Sequence, residues 1–127
     1  MATRCRIGYR EKDGTIVSAY SHYDGYPSHT GKILLTRFRS FESVKELCKT
    51  GEIAQLTETE ETTINSDMWR KSKDSLDYIR AAYDNGCEYA YLFETSKMSP
   101  SCEPTWFFLE LNEGELRFKL LRYADGM

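Results

Sequence analysis

The sequence predicts an α+β fold: a single domain over residues 1–127 in which a mainly antiparallel sheet of about five strands is covered by two to three helices. Stretches of alternating apolar and polar residues stand near both ends of the chain. Turn signals break them into two hairpins, and two or three stretches of helical periodicity lie between. At 127 residues, 40% apolar and 29% charged, the chain is long enough to build one core and too short for two ordinary ones.

Thr3 to Tyr9 places Thr, Cys, Ile and Tyr on one face and Arg4, Arg6 and Gly8 on the other, the pattern of a half-buried strand. Asp13-Gly14 turns the chain, and Thr15 to His22 returns beside it. A two-residue turn at Asp13-Gly14 would set Ile7 opposite Tyr20 and Cys5 opposite His22. A three-residue loop with Gly14 as a bulge instead sets Ile7 opposite Ala19 and Tyr9 opposite Val17; the second is favoured because it aligns apolar with apolar. It also sets Arg4 and Arg6 across from His22 and Tyr20, away from the core. HTGKILLTRF then reads as a helix capped by Ser28 or Thr30, with Leu34, Leu35 and Phe38 inward. SFESVKELCKTG reads as a second helix, started by Ser40 or a Ser43/Glu46 capping box and stopped by Gly51. Thr57 to Asp67 is acidic and Thr-rich and is expected to be an exposed connector. Met68 to Tyr83 carries Trp69, Leu76, Ile79, Ala82 and Tyr83 at helical spacing, ended by Asn85-Gly86. CEYAYLFE, PTWFFLEL and ELRFKLLRY complete the sheet, with a turn at Asn112-Glu113-Gly114. Phe107, Leu109 and Leu111 are expected to face Leu116, Phe118 and Leu120.

Composition excludes several classes. No apolar run approaches the ~20 residues that span a bilayer, so no membrane partner is expected. The N-terminal stretch has arginines but no apolar segment after them, so a cytoplasmic protein is expected, with its cysteines reduced. Cys5, Cys48, Cys87 and Cys102 form no C-x-x-C pair, and Cys5 and Cys48 lie in apolar patterns as small core residues. The net charge is −3, unevenly spread. Residues 1–40 hold seven Arg/Lys against three Asp/Glu, whereas residues 51–67 hold five acids and no base. Such asymmetry can steer a small anionic ligand to the first segment. Basic stretches with interleaved aromatics are too short to predict a nucleic-acid partner.

Residues 18–32, SAYSHYDGYPSHTGK, hold both histidines and three of the nine tyrosines. Tyr20, His22 and Asp24 share a strand face if the strand runs that far. General acid–base chemistry would then use His22 as proton shuttle and Asp24 to hold its tautomer. Residues two apart on a strand lie ~7 Å apart, so a direct His22–Asp24 bond needs a bend. The plainer role for Asp24 is bonding the amides of its own turn. A metal set of His22, Asp24 and His29 would come from one short turn with no supporting motif spacing, so no metal is predicted. Gly25 to Lys32 departs twice from a phosphate-binding G-x-x-x-x-G-K-[ST] loop: five residues separate its glycines, and Ile33 stands at the hydroxyl position. No cofactor is predicted. An anion at the helix start near Thr30 and Lys32, widened by Arg4, Arg6, Tyr20 and His22, is the remaining small-ligand reading. Exposed, Tyr23 and Tyr26 would instead suit a protein interface. Trp106, Phe107 and Phe108 read as core.

The Tyr20, His22, Asp24, Gly25, Tyr26, Pro27 pattern, followed by Gly31, Lys32, Leu34 and Leu35, resembles a family of small bacteriophage and prophage proteins. Its members carry Y-x-H-x-D-G-Y-P before a G-K/R-x-L-L helix. The likeness covers about the first 56 residues, with CEYAYLFE resembling a later aromatic strand. Tyr23 stands where such proteins often have Trp. The resemblance implies an accessory protein acting in the host cytoplasm during infection, one that binds a host or defence macromolecule. The segment from Tyr20 to Lys32 would form part of the contact, through Tyr20, His22, Tyr23, Asp24, Tyr26 and Lys32 with Arg4 and Arg6 beside them.

Overall fold

A computed structural model describes residues 3–57, 61–65, 67–94, 104–114 and 116–122. β1 (Cys5–Arg10) and β2 (Ile16–Ser21) form the first hairpin, with Ile7 opposite Ala19, Tyr9 opposite Val17 and Arg6 opposite Tyr20. This is the expected register. The Glu11 amide bonds the Thr15 carbonyl, leaving Lys12, Asp13 and Gly14 as the loop, with Gly14 at φ 93°. That left-handed conformation is cheap only for glycine, so the loop length and the register are fixed together.

After a wide Pro27–Gly31 turn come α1 (Lys32–Arg37) and α2 (Phe41–Cys48). Ser40 caps α2 reciprocally with Ser43 rather than through Glu46. α1 has no side-chain cap, because the Thr30 hydroxyl donates to the Asp24 carbonyl instead. The chain continues as β3 (Gly51–Leu56), for which the sequence predicts no element, and β4 (Glu61–Asn65). β4 corrects the expectation of a connector over 57–67: its β-branched Thr-Thr-Ile run pairs antiparallel with β3. Residues 58–60 and 66 lie outside the described residues. β5 (Arg70–Ser72) and α3 (Ser75–Asp84) replace the single helix expected from Met68. Asp74 caps α3 by accepting from the Asp77 amide, which places the helix start at Ser75, seven residues later. β6 (Tyr89–Glu94), β7 (Thr105–Glu110) and β8 (Lys119–Leu120) finish the sheet. Phe107 does oppose Leu120, but β8 is two residues long and Leu116 is exposed.

The eight strands make one sheet, β4-β3-β2-β1-β6-β7-β8, with β5 on the outer edge of β2. It is mixed rather than mainly antiparallel. β2 pairs β3 in parallel across the α1–α2 connection, and β1 pairs β6 in parallel beside α3. Both faces are therefore covered, which alternation alone does not reveal. On one face Cys5, Ile7, Tyr91, Phe93, Trp106 and Phe108 pack with α1 and α2. On the other, Ile16, Tyr20, Ala90 and Leu92 pack with Tyr78 and Ala82 of α3. Trp106, Phe107 and Phe108 are all buried. Among the described residues, no helix is long and apolar enough to cross a membrane.

Cys5 and Cys48 are fully buried and Cys87 nearly so, all as free thiols; Cys102 lies outside the described residues. Burial pushes Cys48 and Cys87 up to about 12 and Cys5 up as well. At pH 8 a thiol at that value is on the order of one part in 10⁴ thiolate. In a Cys102→Ser protein, thiol-reagent labelling is therefore expected to proceed only as fast as the fold opens. Rapid labelling of one equivalent in native buffer would contradict this.

Candidate functional site

The segment from Tyr20 to Lys32 leaves the end of β2 and is pinned from four directions. The amides of His22 and Tyr23 donate to the carbonyls of Ile53 and Ala54, so the segment keeps following β3 after strand pairing ends. The Gly25 amide donates to Thr3 O at 2.8 Å, and its carbonyl accepts from Tyr91 Oη at 2.7 Å. The Thr30 hydroxyl closes the loop onto Asp24 O at 2.7 Å. Gly25 is required by space: a Cβ there would lie 2.8 Å from Thr3 O and 2.9 Å from Cys5 Cβ.

Asp24 has φ 55°, left-handed, and among the described residues it is the only non-glycine with positive φ. The strand has ended at Ser21, and this twist takes Asp24 out of the Tyr20/His22 row. Its Oδ2 accepts from Gln55 Nε2 of β3 at 3.2 Å. His22 Nδ1 lies 2.9 Å from Tyr20 Oη. Among the described residues His22 and Asp24 are thus bonded to other groups and not to each other. Burial raises the Tyr20 pKa, so its phenol stays protonated and its O–H can donate to His22 Nδ1 when that nitrogen carries no proton.

His29 Nε2 lies 2.6 Å from Leu56 O and donates to it. This turns His29 toward β3, and no group of three or more His, Cys, Asp or Glu side chains gathers among the described residues. The Pro27–Gly31 turn spends its amides internally: those of His29 and Thr30 reach Tyr26 O, and that of Lys32 reaches His29 O and Pro27 O. The expected row of free N–H groups beside Lys32 is therefore not formed. Lys32 is half-buried at the start of α1.

The cationic residues separate. Arg4 is exposed and lies against Gly86 at the same end of the sheet as His22. Arg6, expected to face away from the core, is 1% exposed. Its guanidinium donates to Ser18 Oγ and O, to Asn85 Oδ1 and to Met68 O. The face read as solvent lies under α3 and the 67–69 segment, so Arg6 is a clamp within the second core.

The exposed residues of the segment are Tyr23, Tyr26 and Ser28. Tyr23 is 50% exposed, with the His22 ring edge-on at 4.5 Å, and Tyr26 is 36% exposed beside His29. The chain matches no family model, no curated protein and no solved structure. Of the residues that hold the segment in place, Thr30 is expected as a helix cap and instead ties the loop to Asp24 O, while Gln55 and Tyr91 carry no signal in the sequence. Both arrive from distant strands, and no local pattern marks them.

Proposed function

We propose that this chain is a phage-type accessory protein, and that the tip from Tyr20 to Lys32 docks on a host macromolecule, a protein being the partner its surface suits. The observation that carries this reading is two part-exposed tyrosines, Tyr23 and Tyr26, on a backbone whose conformation is already fixed. Large amphipathic rings held on a fixed loop lose little freedom on binding, which is why tyrosine anchors recur at interfaces. The phage assignment rests on the motif resemblance.

The test compares three folded variants in partner capture from infected-host lysate, followed by affinity measurement on the partner recovered. Tyr23→Ala or Tyr26→Ala is expected to weaken binding by about 2 kcal/mol, roughly 30-fold. His22→Ala is expected to cost less than about 1 kcal/mol. Equal losses in all three, or none in the tyrosine variants, would sink the reading.

A small anionic ligand is the second reading. It is favoured by the charge of Arg4 acting on Tyr20, which brings a cation, a phenol and an imidazole to one end of the sheet. On that reading His22→Ala or Asp24→Asn removes ligand binding or turnover in an intact fold, while Tyr26→Ala does not.

A further inference from the structure

The outward side of α3 and the turn after β7 form a groove of about 330 Å³. Three large apolar side chains line it while remaining open to water: Leu76 at 50%, Tyr83 at 72% and Leu116 at 71%. Leu76 and Tyr83 lie two helical turns apart, so they form one row along α3, opposite the buried row of Tyr78, Ala81 and Ala82. A helix apolar on both sides has a second face to cover.

The charges in the groove say what covers it. Arg80 and Asp84 line it one helical turn apart, and among the described residues neither takes part in an ion pair. Among the described residues that line it, the patch thus carries one cation and one anion. A two-fold axis through the middle of this helix side, near residue 82, lays α3 antiparallel on its own copy. It brings Arg80 of each chain to Asp84 of the other, two ion pairs made by one rotation, with the Tyr83 rings near the axis. A surface of equal and opposite charges around an apolar centre is complementary to itself, as a two-fold interface requires. A foreign partner would be selected better by a patch of one sign.

We infer that the chain forms a two-fold homodimer through α3 and the Leu116 turn. Sedimentation velocity on the full chain, over about 1 to 100 µM, is the direct test, since this span covers the affinities of modest interfaces. The wild type is expected to pass from monomer to dimer across it. R80D opposes two carboxylates and D84R two guanidinium groups, so each is expected to weaken the dimer at least about tenfold. R80D/D84R exchanges the partners and is expected to recover wild-type association to within about threefold. L116E should abolish the dimer. All three substitutions are on the surface, and circular dichroism checks that each variant is folded.

A wild type that stays monomeric throughout would overturn the inference. If that monomer also bound a hydrophobic dye that L116E released, the groove would belong to a foreign partner. A dimer that survives L116E, or single charge reversals that the double reversal does not rescue, would place the contact elsewhere.

Discussion

Arg6→Met is expected to lower the unfolding free energy by roughly 3 to 5 kcal/mol, measured as a shift of the urea midpoint at unchanged slope. The guanidinium is nearly sealed from water and donates to four acceptors, Ser18 Oγ, Ser18 O, Asn85 Oδ1 and Met68 O. Each loses a charge-assisted partner when the donor goes, at about 1 to 3 kcal/mol for any acceptor left unsatisfied where the site does not relax. Methionine fills much of the volume, so the loss reports the polar clamp rather than a cavity. Among the described residues no carboxylate joins this network, and burial pulls the Arg6 pKa down without removing its charge at neutral pH. Arg4→Met, two residues earlier and exposed, is expected to shift stability by less than about 0.5 kcal/mol. Equal small effects at both positions would mean that Arg6 is not a clamp.

Gly25→Ala is the second large effect, and Gly31→Ala is its control. A methyl at Gly25 would lie 2.8 Å from the Thr3 carbonyl oxygen and 2.9 Å from Cys5 Cβ, and a backbone atom in a bonded strand end has little room to retreat. The expected cost is about 1 to 3 kcal/mol. A larger functional loss should follow, because the displaced contacts are the ones that seat Tyr23 and Tyr26. At Gly31 the added methyl would meet Leu121 and Pro27 at 3.4 Å in right-handed helical backbone. Gly31→Ala is therefore expected to be neutral or to stabilise by up to about 1 kcal/mol. Both glycines belong to the motif read from the sequence, yet only one is held there by close approach. A thermal shift series with binding measured on the same samples would separate them, and comparable losses in both would contradict the packing described.

Local patterns carried the first hairpin and favoured its register, because of two possible loop lengths the one with a glycine bulge sets apolar residues opposite apolar ones. They also carried β6, β7 and the stop of α3 at Asn85-Gly86. They did not carry β5, three residues long and made of Arg-Lys-Ser, which is a strand only because β2 offers it an edge. Nor did they carry the parallel pairing of β1 with β6, which joins residues some 84 positions apart in sequence, as in Cys5 with Tyr89. The same limit applies at the site. Tyr20 and His22 were legible as neighbours on one strand face, and their side chains do meet. Asp24 was placed in that row by the same rule and leaves it, because its left-handed backbone and its bond to Gln55 lie beyond what alternation encodes. Arg6 was misplaced for a related reason: a charged residue in an alternating strand reads as wet until a helix from elsewhere lies over it.

The outer edge of β2 is shared, Ile16–Ser18 bonding to β5 and Tyr20–Ser21 to β3. The sheet is therefore forked at this strand, and its two prongs can part separately. Deuterium should enter residues 70–72 and their partners through an opening that lifts the short prong alone. The amides of His22 and Tyr23, held by the other prong, would keep their protons through that event, so the tyrosine tip stays seated while the far half of the same strand breathes.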